Sequence, residues 1–215
     1  MEELRVQGLR KQIGALTLAA DFTVKAGERV GIIGPSGCGK TSLLRAVSGL
    51  DRKSQDQGQV FLGPDNITGW PAERRQIGMV FQEASLFPGL NVLENAAFGL
   101  RMQGLAKKER DERALVWLDK VGLRALANSS VENLSGGEKQ RIAFVRAIVW
   151  KPRALLLDEP FSALDAELRE GLRRELVELH QLWPVPLLFV THDQADLNAV
   201  VTRTLQFSGS RVSDS

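Results

Sequence analysis

The 215-residue chain contains one cysteine and no tyrosine, and it has no long apolar run. Because Cys38 is the only cysteine, a disulfide framework within the chain is excluded, and a reducing compartment is indicated. The apolar runs ALLL and VPLLFV are far shorter than the roughly 20 residues that a membrane-spanning helix needs. No apolar segment of the signal-peptide type opens the sequence. We therefore expect a soluble cytosolic protein that reaches a membrane only through a partner.

A strong excess of charge of one sign is also missing. The chain has 28 Lys and Arg against 26 Asp and Glu, for a formal net charge of +2. The run AKKERDER (106–113) mixes both signs, so we interpret it as a solvated helix face and expect no nucleic-acid partner. Apolar residues make up 43% of the chain, enough for the core of one domain, with or without a small subdomain.

Candidate strands alternate with candidate helices along the chain. The strand-like runs are LRVQGL, LTLAADFTV, RVGII (29–33), GQVFL (58–62), IGMVFQ (77–82), ALLLDE (154–159) and PLLFVTHD (186–193). The helix-like runs are TSLLRAVSGL (41–50), much of 91–128, a run from Ser135 and LREGLRRELVELHQL (168–182). Continuously apolar strands that alternate with helices predict an α/β fold with a parallel sheet covered on both faces.

A glycine-rich loop follows the strand RVGII. The spacing Gly34-x-x-x-x-Gly39-Lys40-Thr41 matches a P-loop, in which backbone N–H groups and a helix N-terminus hold phosphates. Lys40 would contact the β- and γ-phosphates of ATP, and the Thr41 hydroxyl would bind Mg²⁺. The alternative is a tight strand-to-helix turn without chemistry. The predicted nucleotide site contains Gly34, Pro35, Ser36, Gly37, Cys38, Gly39, Lys40, Thr41 and Ser42.

Two further strands end in polar side chains. The run ALLL leads to Asp158 and Glu159, and LLFV leads to Thr191 and His192. Ligands of an open α/β sheet bind at the carboxyl ends of its strands. We therefore assign Asp158 to Mg²⁺, Glu159 to orienting or deprotonating the attacking water, and His192 to sensing the γ-phosphate. A solvated strand end and a structural histidine are the alternatives.

A second glycine-rich helix start lies in NLSGGEKQR (133–141). An anion could bind at Ser135, Gly136 and Gly137. The phosphates of a nucleotide bound to the same chain, however, are already bound by Gly34–Thr41. The simplest interpretation is that this segment binds a nucleotide held by a second copy of the chain, so that twofold symmetry completes two sites.

Over nearly its whole length the sequence resembles the ATP-binding cassette family, the nucleotide-binding subunits of ABC transporters. The motifs, in family order, are Walker A (34–41), the Q-loop Gln82, the signature LSGGEKQR, Walker B with Glu159, the D-loop SALD (162–165) and the switch His192. The resemblance implies a P-loop NTPase with a RecA-like core, an N-terminal antiparallel β subdomain and a helical subdomain at about 83–134. It also implies that Gln82 contributes to Mg²⁺ binding and catalysis, and that a head-to-tail homodimer encloses two ATP·Mg²⁺.

The segment SLFPGLNVLENAAFGLR (85–101) is similar to importer cassettes of the polyamine, ferric-iron, molybdate, sulfate and thiamine types. This implies transmembrane permease subunits and a solute-binding protein as partners, at the cytoplasmic face of the plasma (inner) membrane. The alternatives are an ATPase of an exporter or lipid-extraction complex and a soluble ABC ATPase acting on DNA or ribosomes. The transported substrate is chosen by the partners and is not readable in this chain.

Two features depart from the family pattern. The family places an aromatic residue against adenine in the segment that reads LRKQIGA (9–15) here, so we expect Arg10 or Lys11 to stack on the base instead, with weak base selectivity. The sequence stops soon after TLQFSGSRV, so we expect no C-terminal regulatory domain within this single 1–215 domain.

Overall fold

The computed structural model describes residues 2–51, 56–208 and 210–213. They divide into two compact units. The first is formed by the chain up to residue 79, by 153–159 and by the chain from 173 onward. The second is formed by 80–152 and 160–172, and it includes the whole segment 83–134.

The described residues form ten strands and seven α-helices. The strands are β1 (Glu3–Ile13), β2 (Leu16–Lys25), β3 (Arg29–Ile33), β4 (Gln57–Leu62), β5 (Asp65–Asn66), β6 (Ile77–Val80), β7 (Ala154–Asp158), β8 (Leu187–Val190), β9 (Arg203–Gln206) and β10 (Arg211–Ser213). The helices are α1 (Lys40–Ser48), α2 (Val92–Ala96), α3 (Phe98–Met102), α4 (Lys107–Lys120), α5 (Gly136–Ile148), α6 (Ala166–Leu182) and α7 (Gln194–Val200). No helix in these ranges is long and apolar enough to cross a membrane.

The N-terminal strands form the predicted antiparallel sheet, in the order β10-β2-β1-β4-β5. β1 pairs antiparallel with both β2 and β4, whereas β10 joins β2 in parallel. Residues of β2 alternate between buried and less buried positions, as expected of a strand with one face on the core. The β1–β2 hairpin closes with Ile13 opposite Leu16.

A second sheet, in the order β6-β7-β8-β3-β9, contains the continuously apolar strands. The pairs β7–β8, β8–β3 and β3–β9 are all parallel. Every residue of β7 and β8 is buried. Because parallel strands share one carboxyl edge, the ends of β3, β7 and β8 meet there, next to the phosphate loop. The predicted parallel α/β sheet is confirmed.

The C-terminal end of α1 is held by Arg75, which is 1% exposed. Its guanidinium donates hydrogen bonds to the carbonyls of Ala46 and Val47 in the last turn of the helix. A Cβ at Gly49, where φ is +83°, would lie 2.5 Å from Arg75 Nε, so only glycine fits. A buried cation that satisfies these carbonyls fixes the helix that begins in the phosphate loop.

The second unit is built around α5, seven of whose residues are buried. The region 91–128, predicted as broadly helical, contains three separate helices, α2, α3 and α4. Asn91 caps α2 through a reciprocal capping box with Glu94. Gly104, with a φ of +81°, follows α3, and the left-handed backbone there prevents α3 and α4 from forming one helix.

Candidate active site

The loop Gly34–Gly39 connects β3 directly to α1, and Gly34–Gly37 are exposed. A Cβ at Gly34 would lie 2.8 Å from Cβ of Phe207, closer than real Cβ atoms approach other atoms. Gly37 and Gly39 have φ values of +77° and +105°, which strongly favour glycine. The backbone of this loop therefore depends on its glycines, as the P-loop prediction requires.

The ammonium of Lys40 lies against the same loop. Its Nζ donates hydrogen bonds of 2.8 Å to the carbonyls of both Gly34 and Pro35. Cys38 Sγ is 4.0 Å from that nitrogen and contacts the position that a Cβ on Gly34 would occupy. The sulfur lies within van der Waals reach of the glycine, so Cys38 packs inside the loop as a small residue.

Thr41 and Asp158 lie together at the start of α1 and the end of β7. The Thr41 side chain is hydrogen bonded to the Asp158 carboxyl. Burial raises the pKa of Asp158, and the charge of Glu159 raises it further, whereas the Thr41 bond and the charge of Lys40 lower it. A buried carboxylate with a raised pKa gains from a nearby cation, and a hydroxyl plus a carboxylate is an oxygen donor set that Mg²⁺ accepts.

No group of three or more His, Cys, Asp or Glu in the described ranges could hold a metal ion alone. Mg²⁺ commonly takes one or two protein oxygens and completes its shell with phosphate oxygens and water. The pair Thr41 and Asp158 therefore fits a metal ion that arrives with a nucleotide.

Glu159 and His192 form the second close pair at this edge of the sheet. His192 Nδ1 lies 3.1 Å from Oε2 of Glu159. The side chain of His192 is 73% exposed, whereas that of Glu159 is 17% exposed. Asp158 and Val190 are directly paired in the β7–β8 ladder, so Glu159 and His192 both follow shortly after that pair.

The backbone of Glu159 has a φ of +46°, a left-handed conformation that is rare for a residue with a side chain. Its N–H donates a 2.8 Å hydrogen bond to the carbonyl of Val190 on the neighbouring strand. Strained residues of this kind persist where surrounding structure holds them, and they cluster at functional sites. The turn at Glu159 could not be read from the sequence.

The second glycine-rich segment starts α5 as predicted, with Ser135 as the N-cap. Ser135 Oγ accepts from the Glu138 N–H and donates to Glu138 Oε2, and the Ser135 N–H donates to the same oxygen. These bonds lower the pKa of Glu138. A Cβ at Gly137 would lie 3.3 Å from Leu164 Cδ2, so the D-loop packs close to this glycine.

The predicted site residues are thus divided between the two units. The first unit contains Gly34–Ser42, Asp158, Glu159 and His192. Gln82, exposed two residues beyond β6, belongs to the second, as do Ser135, Gly136 and Gly137. The roles of Gln82 and of the signature residues stay predictions.

The expectation that Lys11 stacks on the base is wrong. Lys11 is 2% exposed, and its Nζ contacts the carbonyl of Asp51 and the carboxylate of Asp56, 2.8 Å away. A buried ammonium paired in this way is not available to a ligand, whereas Arg10 is exposed. Two aliphatic side chains reach the phosphate loop, since a Cβ at Gly39 would lie 3.6 Å from Cδ1 of the buried Leu18 and 3.7 Å from Cδ1 of the partly exposed Ile13.

A loop in the second unit exposes an aromatic side chain. Phe87 is 39% exposed and packs on Phe98, with ring centroids 4.3 Å apart. The guanidinium of Arg146 lies 5.0 Å from the Phe87 ring. Asn95, fully buried, binds the N–H and the carbonyl of Phe87 and the carbonyl of Leu90, which holds the loop in one conformation.

An open groove of about 240 Å³ lies beside this loop. Its lining consists of Ala84, Ser85, Leu86, Pro88, Val131, Glu132 and Lys139. The groove is more apolar than polar, and with Phe87 it forms a candidate docking surface in the second unit.

Sequence reasoning missed a buried ion pair next to the switch histidine. Arg173 Nε and Nη2 lie 2.7 Å and 2.5 Å from Oδ1 of Asp196. Arg173 belongs to a strongly charged helix in which its neighbour Arg174 is exposed, so no periodicity marked it as buried. The sequence feature that could have indicated the pair is Asp196, an acidic residue three positions after the N-cap Asp193 in the first turn of α7.

Comparisons with known proteins agree with this geometry. The family described as ABC transporter matches residues 18–162. The ATP-binding cassette MJ0796, in a dimeric post-hydrolysis structure bound to ADP and Pi, aligns with a TM-score of 0.85 and 29% identity. The alignment covers 97% of this chain and 96% of that chain.

Curated relatives include the spermidine/putrescine import ATP-binding protein PotA of Haemophilus influenzae, 45% identical over 90% of this chain and 52% of its own length. The Fe(3+) ions import ATP-binding protein FbpC of Rhizobium etli is 41% identical over 97% of this chain and 59% of its own length. The chain therefore spans about half the length of the curated relatives that it matches.

Proposed function

The chain belongs to the ABC transporter family, and we propose that it is an ATPase subunit that powers solute import through a membrane permease. The observation that carries this proposal is the joint placement of Thr41 with Asp158 and of Glu159 with His192 at the sheet edge next to the phosphate loop. The import function is supported by the relatives, which are import ATP-binding proteins for spermidine/putrescine and for Fe(3+) ions.

ATP binds with its phosphates on the N–H groups of Gly34–Gly39 and on the N-terminus of α1. Lys40 exchanges its bonds to the carbonyls of Gly34 and Pro35 for bonds to the β- and γ-phosphates. Both carbonyl bonds are 2.8 Å long and lie within the loop, so only the lysine side chain has to move. Thr41 and Asp158 would hold Mg²⁺, with Gln82 as the further ligand that the family resemblance implies, and the ion would supply neutralisation of charge on the phosphates.

Hydrolysis needs a water in line with the γ-phosphate and donors for the charge that develops. Glu159 is the carboxylate that orients this water and accepts its proton. His192, bound to Glu159 through Nδ1, presents the rest of its exposed ring to the γ-phosphate. The left-handed backbone at Glu159 turns its side chain toward His192, which explains why the strain is retained.

Two copies associate head to tail around two ATP·Mg²⁺. Each nucleotide held by the loop of one copy meets Ser135, Gly136 and Gly137 of the other, at the N-terminus of a 13-residue helix. The dimeric state of the structural relative supports this arrangement. The Ser135 hydroxyl, which donates its hydrogen bond to Glu138 Oε2 here, would then donate it to the γ-phosphate instead.

The permease subunits dock on Phe87, Leu90 and the adjoining groove, which places the chain at the cytoplasmic face of the membrane. A solute-binding protein delivers the substrate on the other side. The apolar lining of the groove and the rigid loop that Asn95 holds support this assignment.

The test is phosphate release from ATP by the purified chain, alone and assembled with its permease. We expect turnover that a magnesium chelator abolishes and that Lys40→Ala reduces together with nucleotide binding. If neither preparation releases phosphate from ATP while both bind it, the proposed function is wrong.

A further inference from the structure

The loop that carries His192 is held by side chains outside the predicted motifs. Thr191 precedes the histidine and is 4% exposed. Its hydroxyl donates a 2.9 Å hydrogen bond to Oδ2 of Asp196 and accepts one of 3.1 Å from the N–H of Asp193. The Thr191 hydroxyl therefore links the two residues that flank His192, Thr191 and Asp193, to the carboxylate of Asp196.

Asp196 is itself held by Arg173. The carboxylate receives two charge-assisted bonds from this guanidinium through Oδ1, and its other oxygen serves Thr191. Both side chains of the pair are almost completely buried, at 9% and 4% exposure. A buried ion pair is held in one geometry when a further group is hydrogen bonded to it, as Thr191 is to Asp196.

The same guanidinium also contacts the N-cap of α7. Arg173 Nη2 lies 3.7 Å from Oδ2 of Asp193, whose other oxygen caps the helix through the N–H groups of Ala195 and Asp196. Arg173 thus reaches the residue after His192 directly and the residue before it through Asp196. The histidine between them is left with its ring in solvent, 3.1 Å from Glu159.

We propose that Arg173, Asp196 and Thr191 form a positioning clamp that sets the His192 ring against Glu159 for ATP hydrolysis. This inference rests on the proposed function. None of the three is among the predicted nucleotide or metal ligands, and their contacts lead to the residues on either side of His192, so they act through His192. Misplacement of a reacting group by about 1 Å can lower the rate roughly 10²-fold. Precise positioning of the His192 ring would therefore have a large effect on hydrolysis.

The experiment compares turnover and ATP affinity in the full chain carrying Thr191→Val, Thr191→Ser, Arg173→Met or Arg174→Met. We expect Thr191→Val and Arg173→Met to lower turnover about 10- to 100-fold while ATP affinity stays unchanged. Thr191→Ser keeps the hydroxyl and should restore turnover. Arg174→Met removes an exposed arginine from the same helix and should leave turnover at the wild-type value.

The decisive step repeats Thr191→Val in a His192→Ala background. If the clamp acts through His192, its effect disappears there, because the group that it positions is gone. A reduction of equal size in both backgrounds, or wild-type turnover in Thr191→Val, would overturn the clamp. Thr191→Val also answers the question if Arg173→Met fails to fold, since it removes only one hydroxyl.

The wild-type chain separates the two proposals. If it hydrolyses ATP and the variants behave like it, the clamp alone is wrong. If the wild-type chain binds ATP but hydrolyses it neither alone nor with its permease, the proposed function fails and the clamp fails with it.

Discussion

Oε2 of Glu159 lies 3.1 Å from Nδ1 of His192, although the two residues follow different strands of the sheet. The parallel pairing of Asp158 with Val190 brings these strand ends together. Glu159 has a left-handed backbone at the point where it leaves β7. A carboxylate and an imidazole in contact beside a phosphate loop form a small acid–base unit, and its chemistry leads to the first prediction.

Replacing Glu159 with glutamine should stop hydrolysis without preventing ATP binding. The substitution keeps the shape of the side chain but removes its negative charge and its ability to accept a proton. General-base contributions are about 10²–10⁴-fold, so turnover should fall by that order. Loss of the repulsion between the carboxylate and the γ-phosphate should also favour the closed dimer. We expect Glu159→Gln to elute as an ATP-bound dimer in size-exclusion chromatography.

The control for that dimer is Ser135→Arg in the Glu159→Gln chain. The arginine displaces the Ser135–Glu138 cap and blocks the start of α5, so the double variant should return to monomer. A monomeric Glu159→Gln chain, or a dimer that ignores Ser135→Arg, would contradict the two-loop nucleotide sandwich.

A second prediction concerns the base of the nucleotide. Because Lys11 is buried and paired, and the side chains nearest Gly39 are those of Leu18 and Ile13, the base meets an aliphatic surface rather than an aromatic ring. We expect ATP and GTP to bind with similar affinity, and a 100-fold preference for ATP would be inconsistent with this.

The matching gain of function is Ile13→Trp. Stacking of a base on an aromatic ring contributes about 1–3 kcal/mol, so affinity for both nucleotides should rise about 10-fold in a fluorescence titration. Gln12→Trp places the same ring on the opposite side of the strand and should leave affinity unchanged.

A third prediction concerns coupling to the permease. Phe87→Asp together with Leu90→Asp introduces charge into the loop that Asn95 holds, and it should abolish transport by the assembled complex. ATP binding by the isolated subunit should survive, since the loop belongs to the second unit and the phosphate loop to the first.

Val116→Asp is the matched control for this loop. Val116 is a 55% exposed apolar residue of α4 in the same unit, so it receives the same charge outside the groove. Transport that persists in the Phe87 and Leu90 variant, or that is lost equally in Val116→Asp, would refute the docking assignment.

A fourth prediction concerns stability at acidic pH. His180 is 3% exposed, donates from Nε2 to the carbonyl of Val185 and accepts from Arg29 through Nδ1. Burial lowers the pKa of His180, and the charge of Arg29 lowers it further, against an opposing effect of the Val185 bond. The unfolded chain therefore binds this proton at higher pH than the folded chain.

The stability contribution of neutral His180 is fully present above the ordinary histidine pKa of about 6.5. It is lost as the pH falls from there through the lower pKa of the folded chain. We expect the melting temperature of the wild type to fall between about pH 8 and about pH 5.5, and the fall to be smaller in His180→Gln. His192→Gln, which removes the exposed histidine, should retain the wild-type fall. Equal slopes in wild type and His180→Gln would contradict the assignment.

Local sequence determined the elements that carry the chemistry. The strand RVGII followed by glycines and Lys40 specifies a strand, a tight loop and a helix start, and the structure has β3 at 29–33 and α1 from Lys40. Ser135 three residues before Glu138 specifies a capping box, and the N-cap is where the sequence predicts it. Such signals are readable because each depends on backbone conformation and hydrogen bonds within a few residues.

Tertiary structure decided which charged side chains are buried and which meet. Lys11 was expected to face a ligand and instead pairs with Asp56, which is distant in sequence. Arg173 and Arg174 are chemically identical neighbours, and only the packing of α6 buries one of them beside Asp196. The contact of Glu159 with His192 likewise needs the β7–β8 pairing and a strained backbone. The reason is physical: burial and ion pairing depend on distances between segments that the local sequence pattern does not encode.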